Sequence, residues 1–151
     1  MLNVLNIITA CGTIAILHAL ANIPNEIKSM AIKPQSWLSG FLEFCPAALS
    51  PITKAQILEC NNEIESMHNE AANKSSCANI EDEVQCHFIS ILNINGELVE
   101  LDGRKDGPIK HGSTTEMTLL KDACQRVVKK FMERDPSDCR FSILALASSQ
   151  T

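Results

Sequence analysis

Val84-Gln-Cys-His-Phe-Ile-Ser-Ile-Leu-Asn-Ile-Asn-Gly-Glu-Leu-Val-Glu-Leu-Asp102 consists of two apolar-rich runs joined by Asn95-Gly96. Asn-Gly suits a type I′ turn, in which both central residues take positive φ, so the stretch is expected to form a hairpin of Val84–Ile94 with Glu97–Asp102. If Ile94 pairs with Glu97, each step outward adds one residue on either strand, which sets Ile89 opposite Asp102 and His87 opposite Arg104. His87 and Asp102 then share one face as diagonal neighbours, roughly 7–8 Å apart at the backbone, a span that long side chains bridge. The carboxylate is placed to accept a hydrogen bond from the imidazole. A bulge within the hairpin would break this count.

Outward from the hairpin, the period becomes helical. Upstream, Gly12–Asn22 carries Ile14, Ile16, Leu17, Ala19, Leu20 and Ala21, with Pro24 beyond as a stop. Pro34–Cys45 carries Trp37, Leu38, Phe41, Leu42 and Cys45 at helical spacing, and Ser50-Pro51 opens a longer helix expected to run to about Asn73. Lys74–Glu83 is small and polar and reads as an exposed loop. Downstream, Glu116–Arg134 is expected to be a helix with Met117, Leu120, Cys124, Val127, Val128 and Phe131 as its apolar face. Asp135-Pro136 ends it, and Cys139–Ala147 alternates like a buried strand through Phe141, Ile143, Leu144 and Leu146. The fold class is α+β, close to α/β, with helices packed on a central sheet; the chain has no internal repeat and no evident domain boundary.

The 151 residues are 45% apolar and 21% charged, which fits one packed domain and excludes disorder and low-complexity architectures. A net charge of -5, only 4% aromatic residues and no tyrosine leave neither a basic field nor stacking platforms for nucleic acid. The acidic balance favours a basic protein or peptide as partner. The cysteines at positions 11, 45, 60, 77, 86, 124 and 139 never come within two to four residues of one another, so no metal site is expected. Their odd number argues for a reducing compartment, with most of them buried as small apolar side chains. Met1–Pro24 is nearly all apolar, and Ala19-Leu20-Ala21 mimics a signal-peptide cleavage site. However, the first basic residue is Lys28, and Asn3, Asn6, Thr9 and His18 interrupt the run. No membrane span is expected, and the location read from this is cytoplasmic, with the nucleus also open.

Cys11 stands where the first helix begins. A thiol there faces unsatisfied N–H donors and the positive end of the helix dipole, which favour the thiolate. Cys11, His87 and Asp102 thus read as nucleophile, general acid/base and orienting carboxylate, the set that divides acyl transfer into thioester formation and hydrolysis. Spacing alone is only suggestive, since one cysteine in seven often falls near a helix start by chance and a histidine or an aspartate in a hairpin is more often structural. His18 reads as a core histidine, and Cys86, which must point away from His87 on a strand, reads as core. Arg104 and Asp106 read either as shaping the cleft or as turn and surface residues, the acidic run Glu63–Glu70 reads as a solvated helix face, and His68 and His111, the latter in a glycine-flanked loop, have no assigned role.

Ala10-Cys-Gly-Thr-Ile-Ala-Ile-Leu-His-Ala-Leu-Ala-Asn22, His87-Phe-Ile89, Glu100-Leu-Asp-Gly-Arg-Lys105, Gly107-Pro-Ile-Lys-His-Gly112 and Lys130-Phe-Met-Glu-Arg-Asp-Pro136 occur in this order. Together they resemble the ubiquitin C-terminal hydrolases, close to the small single-domain members of that cysteine-protease family. The resemblance implies a papain-like fold and assigns the nucleophile to Cys11, the general base to His87 and the third member to Asp102. It implies a partner, ubiquitin or a ubiquitin-like modifier, whose basic tail suits an acidic enzyme, and no cofactor. It also places a crossover loop that restricts leaving-group size at about Met67–Glu83.

Two features depart from the family pattern. The family's domain has a substantial segment before the cysteine, so residues 1–151 are expected to be a catalytic domain incomplete at its N-terminus. The family's oxyanion glutamine falls at position 5, where this chain has Leu5, with Asn6 beside it as a substitute donor. Two functions follow: a thiol-dependent deubiquitinating hydrolase acting on small adducts or precursors, or a catalytically impaired remnant that binds ubiquitin or a partner.

Overall fold

The computed structural model describes residues 11–45, 49–64, 66, 70, 87–138 and 140–147. The chain divides into two compact units, Met1–Ile89 and Ser90–Thr151.

The first unit is helical. Helix α1 (Cys11–Asn22) occupies the expected stretch. It closes where the Asn22 amide donates to the His18 carbonyl at 2.8 Å. Pro24, expected only as a stop, also serves as the N-cap of an unanticipated helix, α2 (Asn25–Ala31). Its carbonyl accepts from Lys28 N at 3.0 Å. Proline's fixed φ suits the extended residue that leads into a helix. Helix α3 (Trp37–Phe44) is capped by the Ser36 hydroxyl, which accepts from Ser39 N at 3.2 Å. Trp37 and Phe41 stack one turn apart with ring centroids at 4.9 Å.

Helix α4 (Pro51–Glu59) begins as expected, with the Ser50 hydroxyl accepting from Thr53 N at 3.1 Å. The expected run to Asn73 is interrupted after Glu59, where Cys60 closes α4, and helical structure resumes beyond Asn61 at residues 62–64, 66 and 70. The Asn61 carboxamide accepts from Glu63 N at 2.9 Å and Ile64 N at 3.1 Å, a capping arrangement that competes with helix continuation. Ile64 is buried behind this cap, whereas Glu63 and Glu70 are exposed, as the solvated-face reading requires. The expected loop Lys74–Glu83 lies outside the described residues.

The second unit holds a three-stranded antiparallel sheet, β1 (Ser90–Ile94), β2 (Glu97–Leu101) and β3 (Ile109–Ser113), in that order. The hairpin has the derived register, with Ile94 opposite Glu97 and Ser90 opposite Leu101. Its turn residues Asn95 and Gly96 have φ of 53° and 82°, and the Asn93 carboxamide accepts from Gly96 N at 2.9 Å. The ladder ends at Ser90, so the strand expected from Val84 is shorter, and residues 87–89 carry no regular structure. The glycine-flanked loop expected around His111 is β3. Between the Glu97–Ser113 and Val99–Lys110 pairs, β2 contributes one residue and β3 contributes two, His111 and Gly112. Gly112 takes φ of 95°, the conformation a bulge of this kind asks of glycine. β2 is the central strand, and Leu98, Val99 and Glu100 are all buried, so both of its faces are covered.

The helix expected from Glu116 starts at Leu119, because Thr115 and Thr118 form a closed turn before it. Thr118 N donates to the Thr115 hydroxyl at 3.2 Å, and Thr115 N donates to the Thr118 hydroxyl at 3.1 Å. Helix α5 (Leu119–Ala123) continues through a π-helical turn (Cys124–Val128) into α6 (Lys129–Arg134). The buried side is Asp122, Ala123 and Val127, while Met117 and Leu120, expected inside, are 95% and 57% exposed. Asp135-Pro136 ends the helix as expected. Residues 140–147, expected as a buried strand, are exposed and irregular, since their alternation gains nothing without a ladder partner and none is formed among the described residues. Of the described cysteines, Cys45 alone is buried; Cys11 and Cys124 are half-buried, Cys60 is exposed, and all four are free thiols.

Candidate active site

Cys11 is the first described residue of α1 and is half-buried. The next residue, Gly12, has no side chain, and the Phe88 ring occupies the space against it: a Cβ at Gly12 would stand 3.6 Å from Phe88 Cδ2. Phe88 directly follows His87. The packing therefore brings the segment that carries the candidate base to the helix start that carries the candidate nucleophile, both within the first unit. His87 is half-buried, with its Nδ1 shielded from solvent.

Asp102 belongs to the second unit. It follows β2 directly, is 8% exposed, and is locked by a tight turn. Its Oδ1 accepts from Arg104 N at 2.8 Å, and its carbonyl accepts from Lys105 N at 3.0 Å. The short Asp-Gly-Arg-Lys sequence builds this turn, in which the aspartate side chain takes the place of a backbone acceptor. Arg104 and Asp106 are exposed, in keeping with the surface reading, and His18 is half-buried. His87 and Asp102 lie beyond the last ladder pair and in different units. Leu5, Asn6, His68 and Cys86 lie outside the described residues.

The sequence reading missed a polar assembly in the second unit. His111 Nε2 meets Glu100 Oε2 at 2.8 Å, with side chains only 13% and 5% exposed. Beside it, Arg126 donates to the Ser113 carbonyl at 2.7 Å and pairs with Asp122 Oδ1 at 3.0 Å. The Thr114 hydroxyl donates to Asp122 Oδ2 at 2.8 Å. The Thr114 hydroxyl first, then that of Thr118, with the Arg126 and Lys121 charges adding, hold the Asp122 carboxyl below its ordinary range. This assembly ties β3 to the helix through Arg126 and Asp122. Reading Ile109–Ser113 as a third strand would have placed His111 diagonal to Glu100. The signal was hidden by Gly107, Pro108 and Gly112, which suggest a loop. Among the described residues no group of His, Cys, Asp or Glu side chains has metal-holding geometry, and no helix is long and apolar enough to cross a membrane.

The model of the ubiquitin carboxyl-terminal hydrolase family 1 matches residues 6–133. The chain belongs to this family. Ubiquitin carboxyl-terminal hydrolase 3 of Arabidopsis thaliana is 41% identical over 138 residues, covering 91% of this chain and 56% of that protein. A Drosophila melanogaster ubiquitin carboxyl-terminal hydrolase is 43% identical over 143 residues, covering 93% of this chain and 60% of that protein. The human isozyme L1 is 39% identical over 140 residues, with the same coverage of 93% and 60%. The chain thus spans well under two thirds of the length of these family members. The crystal structure of the Trichinella spiralis UCH37 catalytic domain, solved with ubiquitin vinyl methyl ester bound, superposes with a TM-score of 0.61 at 20% identity. The match covers 87% of this chain and 56% of that one, which establishes the α+β, papain-like fold of the family.

Proposed function

We propose that the chain is a thiol-dependent ubiquitinyl hydrolase that cleaves the bond after the C-terminal glycine of ubiquitin or a related modifier. Family membership supports the reaction class, and one observation carries the reading: Cys11 stands in α1 beside Gly12, on which Phe88, next to His87, packs. In this reading Cys11 Sγ attacks the glycine carbonyl carbon, and His87 takes the thiol proton and returns it to the departing amine. A thioester forms. Water, deprotonated by His87, then releases the ubiquitin carboxylate and frees the thiol. In this reading the Cys11 backbone N–H serves as an oxyanion donor. Asp102 orients the imidazole and stabilises its charged form, the role a buried, turn-locked carboxylate suits. Residues 1–151 belong to one catalytic domain, since the family match runs across both compact units. The working compartment is the cytoplasm or nucleus, where thiols stay reduced.

The test is labelling by ubiquitin that carries a vinyl methyl ester at its C-terminus, with the site located by mass spectrometry. Stoichiometric labelling at Cys11, lost in Cys11→Ala and after unfolding, is expected. A cooperatively folded chain that takes no label overturns the hydrolase reading.

A further inference from the structure

We infer that the buried pair of Glu100 and His111 positions Asp102: by bonding the end of β2 to β3, it fixes the strand end from which the aspartate turn springs. The inference rests on the hydrolase reading for what Asp102 does, while the pair itself is a feature of the sheet. Residues two apart on a strand face the same way, and Leu98, Glu100 and Asp102 are 0%, 4% and 8% exposed. One buried row therefore runs down β2 into the aspartate. Glu100 is the last β2 residue paired with β3, and Leu101 the last paired with β1, so Asp102 stands just past both ladders. The bonds it accepts from Arg104 N and Lys105 N set the shape of its turn. The strand end that leads into the turn helps to set where that shape stands.

The backbone explains why this end of β2 calls for a side-chain bond. The ladder between β2 and β3 is interrupted by the bulge at His111 and Gly112, and a bulge locally disrupts the regular cross-strand bonds. Ile109 stands opposite Glu100, which puts His111 on the diagonal, and the side chains close across the strands at 2.8 Å. A carboxylate can only accept, so His111 Nε2–H donates to Glu100 Oε2, a directional bond that restricts the two strands more narrowly than apolar contact would. Arg126 holds the bulge from the helix side by donating to the Ser113 carbonyl at 2.7 Å. Apolar side chains of similar volume would stabilise such a buried site as well as a charged pair does, so what the pair adds is geometry. Geometry matters here because a displacement of about 1 Å near the chemistry costs on the order of 10²-fold in rate.

The experiment removes the bond in two ways in the full chain, by His111→Ala and by the apolar double variant Glu100→Leu/His111→Leu, and keeps it in Glu100→Gln. Amide hydrogen exchange followed by NMR reads the two ends of β2 separately. Arg104 N and Lys105 N report the Asp102 turn. Gly96 N, bonded to Asn93 Oδ1, and Thr114 N, bonded to the Gly96 carbonyl, report the opposite end. Loss of the pair is expected to speed exchange at Arg104 and Lys105 about tenfold beyond any change at Gly96 and Thr114, with Glu100→Gln close to wild type. Where ubiquitin substrate is turned over, the double variant is expected to lower kcat by roughly 10- to 100-fold with KM little changed. In an Asp102→Asn background the same change is expected to cost little more, because the two losses share one route. Equal acceleration at both ends of β2, or none at the Asp102 turn, overturns the positioning role. A kcat loss fully additive with Asp102→Asn overturns it as well. Failure of the hydrolase reading appears separately, as absence of ubiquitin-probe labelling in the wild type, and leaves the exchange comparison intact.

Discussion

Removing the imidazole of His111 is expected to destabilise the chain through Glu100. The two side chains meet at 2.8 Å and are 13% and 5% exposed, so His111→Ala strands a carboxylate that water barely reaches. Breaking a buried pair from one side costs about 3–5 kcal/mol when the remaining charge stays ionised. Partial solvation of the site vacated by the ring lowers this to an expected loss of about 2–4 kcal/mol at pH 7. Urea unfolding followed by far-UV circular dichroism, for wild type and variant at pH 7, measures the difference. Glu100→Gln, which keeps an acceptor and places no charge at risk, is expected to lose less than His111→Ala. A loss below about 1 kcal/mol refutes the argument. That result would mean that the ring contributes packing and that its partner carries no stranded charge.

Asp122 gives a pH prediction of definite sign. Its folded-state carboxyl lies below the ordinary range, chiefly through the Thr114 hydroxyl, so the stabilisation is present above the unfolded-state value and disappears as pH falls through the folded one. Below about pH 4 the wild type should therefore lose stability faster than Asp122→Asn, as read by urea titrations at stepped pH. Gly112→Ala places a Cβ on a residue with φ of 95° and 3.4 Å from Arg126 Nη1. The expected cost is about 1–2 kcal/mol, seen as a lower Tm. At position 5, where the family resemblance puts an oxyanion donor, Leu5→Gln is expected to raise kcat by about 10²-fold on a fluorogenic ubiquitin substrate, since such a donor contributes about 10²–10³. Asp102→Ala is expected to lower kcat/KM while leaving Cys11 open to labelling by the ubiquitin probe, because the nucleophile survives without its orienting partner.

The hairpin was legible because one local rule governs it. Asn95-Gly96 permits few conformations other than the tight turn, and the pairing of Ser90–Ile94 with Glu97–Leu101 follows from that turn alone. Helix starts were legible for the same reason at Ser50-Pro51, where cap and first turn are adjacent in sequence. Helix ends were less so. Nothing in the apolar spacing after Ile57 marks a break, and the stop depends on the Asn61 carboxamide choosing the N–H groups of Glu63 and Ile64 over solvent. The face of the second-unit helix was misjudged because apolar periodicity counts Met117 and Leu120 but gives no weight to a buried polar anchor. Asp122, held by Thr114 and Arg126, turns inward with Ala123 and Val127 and leaves the larger apolar side chains in water. A hydrogen-bonded carboxylate that links two elements outweighs two methyl-rich side chains with no cavity to fill.

The site shows a sharper form of the same division. Cys11 is read as the candidate nucleophile from its position near a helix start, a local property, and Asp102 sits in a turn written into Asp-Gly-Arg-Lys. The contact between Phe88 and Gly12 joins residues 76 positions apart in sequence, and no period or motif encodes it. Glycine in a helix interior costs about 1 kcal/mol in propensity relative to alanine. That cost is intelligible only when the long-range partner is in view. A residue that is wrong for its own element is then evidence of what must pass close to it, and at Gly12 what passes is Phe88, the neighbour of the candidate base. The same inference holds at Gly112, whose positive φ and missing Cβ admit the Arg126 guanidinium to the carbonyls of β3. In both places the local penalty marks a long-range approach, and a β-carbon added there would be expected to disturb the partner more than the element that carries it.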